Sequence, residues 1–245
     1  MGRLRSVCGL LVTFGATIGC GSLAMLGGLL PRRLDPFDRI VSGWSRAVLG
    51  SLGVRGRVTW QGELPRDTPT VYMANHQSLL DTPLLFSVLS PAPRFVAKKS
   101  LAWVPFLGWA MVLNDFVFVD RGDREAAIAS LARAGEKIRR GTSVLVFPEG
   151  TRGSGEQLQP FKKGGFLLAI GAGVPIVPLR ITGTARLLGK HRWLPAAGEV
   201  HVAVGRPIPT AGLTAADRDE LLAQVRRAMA ELPAPEPAAV VSELR

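Results

Sequence analysis

Apolar and polar positions fall into three regimes along the chain. Residues 6–31 contain no charge at all. From about residue 40, short apolar runs alternate with amphipathic ones. Residues 70–74 predict a strand that runs directly into Asn75-His76, and 82–89 predict a helix with Pro83 in its first turn, where a missing N–H is harmless. Residues 116–119 predict a second strand, stopped by Asp120-Arg121. Asp123 is expected to cap the next helix, in which Ile128, Leu131, Gly135 and Ile138 recur at helical spacing until Gly141. A buried strand is expected over 143–147, stopped by Pro148, then a helix through 166–170 and an extended stretch over 174–179. Val200, Val202 and Val204 alternate with Glu199, His201 and Ala203, which predicts a half-exposed strand. Thr214-x-x-Asp217 reads as a capping box opening a last helix with Leu221, Leu222, Val225, Met229 and Leu232 on one face. The prolines at 233, 235 and 237 predict a loose tail. This alternation predicts an α/β sandwich over 40–232, with a membrane-anchoring or interfacial segment at 1–39 and a flexible tail at 233–245.

As one helix, the uncharged 6–31 run would extend about 39 Å, against a hydrocarbon core of about 30 Å. A cleavable signal peptide would have a shorter apolar region ending in small residues; this run ends in Leu29-Leu30-Pro31-Arg32-Arg33. Its glycines allow two readings. Gly19-Cys20-Gly21 would break it into half-helices that enter and leave one leaflet, or Gly15 and Gly19 would form the packing face of a continuous helix. Gly19-x-Gly21-x-x-Ala24 also matches a loose dinucleotide fingerprint, but no strand precedes it, so that reading is set aside. Up to residue 60 the chain carries eight arginines and two aspartates, with Trp44 among them. That pattern suits an anionic leaflet.

Composition narrows the classes further. The chain has 245 residues, 47% of them hydrophobic, and a net charge of +11. Wholesale disorder is excluded. Two cysteines are too few for a disulfide scaffold or a zinc site, and no metal ligands are expected. The positive charge suits anionic partners, and no nucleic-acid motif accompanies it.

Chemistry is expected at the polar ends of the strands, where α/β folds collect their sites. In Asn75-His76-x4-Asp81, the two side chains can meet if His76 precedes the helix and Asp81 lies in its first turns. On one continuous helix the two would be about 140° apart, so they meet only across that break. Asp81 would then accept from one ring nitrogen and leave the other as a base. In Phe147-Pro-Glu-Gly-Thr-Arg152, Glu149, Arg152 and the backbone N–H groups near Gly150 and Thr151 would form a cup for an anion. Asp120-Arg121 is the third such end. Serine hydrolysis is set aside because no G-x-S-x-G elbow is present.

These segments, in order, resemble the four blocks of the glycerolipid acyltransferases: Asn75-His76-x4-Asp81, Phe116-Val-Phe-Val-Asp-Arg121, Phe147-Pro-Glu-Gly-Thr-Arg152 and Val174-Pro-Ile-Val-Pro178. The branch acting on 1-acylglycerol 3-phosphate is the most similar, and 94–101 and 104–109 also look like its segment between the first two blocks. One position departs: Asp115 stands where the family usually has glycine. The resemblance implies a mixed sheet flanked by helices with an N-terminal membrane-embedded segment. It also implies transfer of an acyl group from acyl-CoA or acyl carrier protein to the free hydroxyl of 1-acylglycerol 3-phosphate, giving phosphatidic acid. His76 and Asp81 would be catalytic. Arg121, Glu149, Gly150, Thr151, Arg152 and a lysine at 98 or 99, taken as Lys99, would hold the acceptor. No cofactor is implied beyond the acyl donor. The expected partners are a membrane lipid acceptor, the acyl donor and an anionic membrane surface, with no nucleic acid. The expected location is a membrane, in a bacterium the inner membrane, with the site on the cytoplasmic side. The same chemistry on lyso-ornithine lipid or another lyso-aminolipid, or on glycerol 3-phosphate, is the alternative; a non-catalytic membrane-surface binding protein is a third reading.

Overall fold

The computed structural model describes residues 2–30, 36–65, 68–120, 124–155, 157–233 and 242–243. Its helices are α1 (Gly2–Gly27), α2 (Phe37–Leu52), α3 (Asp81–Val88), α4 (Leu107–Leu113), α5 (Arg124–Arg139), α6 (Gly164–Ala172), α7 (Thr184–Leu187) and α8 (Arg218–Glu231). Its strands are β1 (Val54–Trp60), β2 (Val71–Ala74), β3 (Arg94–Lys98), β4 (Val117–Val119), β5 (Val144–Val146), β6 (Ile176–Thr182), β7 (Gly198–Val204) and β8 (Ser242–Glu243). They form one sheet in the order β4-β3-β5-β2-β6-β7-β1-β8. β4, β3, β5, β2 and β6 run parallel, β7 is antiparallel to β6, and β1 is parallel to β7. The carboxyl ends of five strands therefore share one edge.

Period-2 side chains send alternate residues of each strand into two cores. Tyr72, Phe95, Leu145, Val177, Leu179 and Ile181 meet α2 and α3 on one face. Met73, Val144, Val146 and Ile176 meet α5, α6 and α8 on the other. A strand covered on both faces is apolar throughout, which is why all four residues of β2 are buried. The Thr214–Asp217 capping box is present, on a short 3-10 turn that leads into α8. The strand through 200–204 differs from expectation: it is buried at every residue rather than half-exposed, because β7 is an inner strand between β6 and β1. The expected cap Asp123 lies outside the described residues. Of the expected tail, Pro233 and Ser242–Glu243 are described, the latter pairing with β1. The expected boundary at 39/40 falls in the first turn of α2.

α1 is one unbroken helix of 26 residues, so the half-helix reading is corrected. Three of its hydroxyls are satisfied along its own axis, where Thr13, Thr17 and Ser22 donate to the carbonyls of Gly9, Thr13 and Ile18; the fourth, Ser6 Oγ, donates to the Pro195 carbonyl at 2.7 Å. Gly15 and Gly19 do not form its packing face; a β-carbon on either would meet nothing within 4 Å. At 100° per residue, Gly9, Thr17, Gly21, Ala24 and Gly28 fall within a sector of about 120°, with Gly15 and Gly19 outside it. That sector faces the protein. Trp44 Nε1 donates to Thr17 Oγ1 at 3.0 Å, Ser51 Oγ to Gly9 O at 3.3 Å, and Asn114 Nδ2 to Ala24 O at 2.8 Å. A β-carbon at Gly9 would lie 2.8 Å from Leu52 and from the Ser51 carbonyl. Leu4, Leu11, Phe14, Leu23 and Leu26 on other sectors are exposed. The stretch Leu4–Gly27 is long and apolar enough to cross a membrane by length and composition.

Two outcomes follow from this packing. Gly9→Val is expected to lower stability by about 1–3 kcal/mol through overpacking, seen as a lower melting temperature. Leu11→Glu with Phe14→Glu should leave melting unchanged and weaken binding to anionic vesicles in a flotation assay. A third concerns His201, 5% exposed, with Nε2 2.9 Å from Thr59 Oγ1 and Nδ1 buried without a hydrogen-bond partner among the described residues. Burial first, and the Arg57 charge second, lower its pKa from 6.5. As pH falls through 6.5 the unfolded chain takes up a proton that the folded His201 refuses, so stability drops until the lowered value is reached. Melting measured from pH 7.5 to 5.5 should therefore fall less steeply in His201→Gln.

Candidate active site

β2 ends at Ala74 and α3 begins at Asp81, so His76 sits in the break that the spacing required. His76 Nδ1 is 2.8 Å from Asp81 Oδ2. A carboxylate partner fixes the tautomer with hydrogen on Nδ1, which leaves the Nε2 lone pair as the base. The ring lies flat against Phe147, centroids 4.1 Å apart and planes 15° apart. Asp81 is completely buried. Its Oδ2 also accepts the N–H groups of Gln77 at 2.6 Å and Ser78 at 2.8 Å, and its Oδ1 accepts Thr184 Oγ1–H at 2.6 Å.

The first and third blocks are joined through the backbone of His76. Its N–H donates to Glu149 Oε1 at 3.2 Å, and its carbonyl accepts from Gly153 N–H at 2.8 Å. Glu149 is 4% exposed. Burial raises its pKa, opposed by backbone hydrogen bonds from His76 and Gln159. A carboxylate turned inward on two backbone donors is a strut under His76. The expected anion cup is corrected at one of its backbone donors. Gly150 N–H donates to the Phe147 carbonyl at 3.0 Å to close the turn, so it is not available to a ligand. Gly150 adopts φ 69°, a left-handed conformation that favours glycine, and its α-carbon lies beside the Lys162 side chain. Thr151 is exposed and Arg152 half-buried beside it. Neither Arg152 nor Lys162 has a side-chain hydrogen bond or ion pair among the described residues. Lys162, which no block pattern singled out, thus brings a second cation to this turn.

Lys99 follows β3 at the same edge of the sheet and is 3.4 Å from Asp120. Arg121 lies outside the described residues. Asp115 adopts φ 64°, a left-handed conformation that favours glycine and that Asp tolerates better than most residues; Lys137 holds its carboxylate at 3.2 Å. The departure from the family's glycine is therefore a backbone matter, outside the His76–Asp81 contact. A separate hollow lined by Asp38, Trp60, Tyr72 and Arg94 lies at the amino-terminal ends of β2 and β3, opposite the histidine.

Residues 55–182 match the family model described as Acyltransferase. The chain belongs to the acyltransferase family. It is 34% identical to human 1-acyl-sn-glycerol-3-phosphate acyltransferase beta over 93% of this chain and 81% of that one. It is 35% identical to the chloroplastic 1-acyl-sn-glycerol-3-phosphate acyltransferase BAT2 of Brassica napus, over 84% of this chain and 61% of that one. The chain spans about three fifths of the length of the first curated relatives it matches. The crystal structure of the 1-acyl-sn-glycerophosphate acyltransferase PlsC from Thermotoga maritima superposes with a TM-score of 0.77 at 26% identity, covering 93% of this chain and 94% of that one. Acyltransferase membership and the mixed sheet flanked by helices thus agree with what the four blocks implied.

Glu149→Ala would strand the half-buried backbone donors of His76 and Gln159, each costing up to about 1–3 kcal/mol. Thermal melting is expected to drop by several degrees while the far-UV circular dichroism spectrum at 20 °C stays that of the parent.

Proposed function

We propose that the protein transfers an acyl group from acyl-CoA or acyl carrier protein to the free hydroxyl of 1-acylglycerol 3-phosphate, forming phosphatidic acid. The observation that carries this reading is the 2.8 Å contact of His76 Nδ1 with the buried Asp81 carboxylate at the end of β2, in a chain whose relatives are named for that acceptor. His76 Nε2 takes the hydroxyl proton as the oxygen attacks the thioester carbonyl; Asp81 steadies the imidazolium. The tetrahedral adduct then expels the thiolate, which recovers the proton from His76. General-base help of this kind is worth about 10²–10⁴-fold. Arg152, with Lys162 beside it, would hold the phosphate; Arg121, Thr151 and Lys99 are assigned to the same acceptor by the family pattern.

α1 is packed lengthwise from Gly9 to Gly28 against α2 and α4. That supports a helix seated in one leaflet rather than one leaving the body to cross the bilayer. Acyl-CoA and acyl carrier protein are cytosolic donors, which supports a site on the cytoplasmic side.

Purified protein in mixed micelles, offered lysolipids with each donor, tests the reading. Turnover should be fastest on 1-acylglycerol 3-phosphate. Preference for lyso-ornithine lipid or glycerol 3-phosphate would install the other acceptor, and vesicle binding without turnover of any acceptor would favour the binding protein. His76→Ala should lose at least about 100-fold in kcat with folding intact. Arg152→Lys keeps the charge and loses the planar fork. It should raise KM for the phosphate-bearing acceptor by roughly ten- to 150-fold, equivalent to about 1.5–3 kcal/mol, with a smaller change in kcat. Equal kcat losses on acceptors with and without phosphate would move Arg152 to the donor.

A further inference from the structure

The turn after β6 belongs to none of the four blocks, yet it reaches the buried side of the histidine–aspartate pair. Gly183, at φ 95°, ends β6 and turns the chain into the four-residue helix α7, with Thr184 first. Thr184 is completely buried. Its hydroxyl is 2.6 Å from Asp81 Oδ1, across 103 residues of sequence, and 3.3 Å from Gln77 Oε1. A hydroxyl has one hydrogen, and the 2.6 Å contact with a charged oxygen takes it. The flanking residues tie the same two loops together. Asn75 exchanges hydrogen bonds with both backbone groups of Ile181, Gln77 Nε2 donates to Ile181 O, and Ser78 Oγ donates to Leu188 O.

We propose that Thr184 is a positioning residue for the acyl-transfer reaction: its hydroxyl fixes the Asp81 carboxylate so that Oδ2 stays aimed at His76 Nδ1. The carboxylate has two oxygens and one useful orientation. Oδ2 serves His76, Gln77 and Ser78, while Oδ1 is held by Thr184. Without the hydroxyl, Oδ1 is a buried charged oxygen lacking its donor. The carboxylate then turns to share the donors at Oδ2, and the histidine loses its alignment. A side chain acting this way changes the chemical step and leaves substrate affinity alone.

The kinetic test rests on the acyltransferase reading, and a spectroscopic one stands apart from it. Thr184→Val removes the hydroxyl and keeps the shape; Thr184→Ser keeps the hydroxyl. Thr210→Val removes another buried hydroxyl, one bonded to the carbonyls of Ala169 and Val174 in the opposite core. Thr184→Val should lower kcat about ten- to 100-fold, the scale of a hydrogen bond to a charged group, with KM for donor and acceptor within twofold. Thr184→Ser should stay within threefold of the parent, and Thr210→Val should lose melting temperature and keep kcat. If Thr184→Val does not fold, Thr184→Ala takes its place with the same expectation. Independently of any substrate, the downfield Nδ1–H resonance of His76, assigned by its loss in His76→Gln, should persist in Thr184→Ser. In the hydroxyl-free variant it should move upfield or broaden away. An unchanged resonance there would overturn the proposal. So would a kcat within threefold of the parent, or a Thr184→Ser enzyme as slow as Thr184→Val. A parent that shows the resonance but acylates no lysolipid would sink the proposed function, and the resonance comparison would still decide the role of Thr184.

Discussion

A carboxylate cut off from water has to find its hydrogen-bond donors inside the protein, because an uncompensated buried charge is among the costliest things a fold can hold. Asp81 is such a group, and it has four donors: the imidazole of His76, the N–H groups of Gln77 and Ser78, and the hydroxyl of Thr184. Three come from the loop between β2 and α3, and the fourth comes from the far side of β6. The loop can turn tightly enough to aim two N–H groups at one oxygen because the aspartate waits at the start of the next helix. Chemistry and local folding are thus satisfied by the same contacts, and neither is separable from the other by a single substitution at position 81.

Other parts of the edge serve that arrangement. Glu149 and Gly153 hold the two backbone groups of His76, and Phe147 supplies a flat surface for its ring. The Phe147–Gly150 turn therefore acts on the histidine from beneath, with exposed Thr151 and half-buried Arg152 following it. Parallel pairing of β2 with β5 and β6 brings the three loops to one edge. Helices on both faces make that sheet an interior object, and its apolar strands follow from it.

What the sequence makes legible is whatever has a local signature. The β2, β4, β5 and β6 runs, the break between His76 and Asp81, and the Thr214 capping box all lie within a few residues of the feature that announces them. β1 escapes because Arg55, Gly56 and Arg57 interrupt its apolar pattern; the two arginines face Glu199 on β7, a partner that only the sheet order reveals. The inner position of β7 is equally invisible in its alternating valines. Gly15 and Gly19 have the right spacing for a helix contact but the wrong azimuth, which depends on where α2 lies. Gly150 looks like an exposed donor until the turn closes on Phe147. Thr184 has no signature at all, since a threonine 103 residues from its partner is an ordinary residue in an ordinary turn. Asp115 is the converse case: an odd residue directly before a family block, accounted for by a single dihedral angle.

The two-sided character of α1 also governs how the protein behaves once taken out of a bilayer. Its inner sector is spoken for by α2 and α4, so the helix stays on the body after extraction and carries its leucines and Phe14 with it. In plain buffer that stripe meets only water or another copy of itself. Aggregates and apparent oligomers in amphiphile-free preparations are then a property of the solvent, and size measurements on this protein acquire meaning only at a stated detergent or lipid ratio.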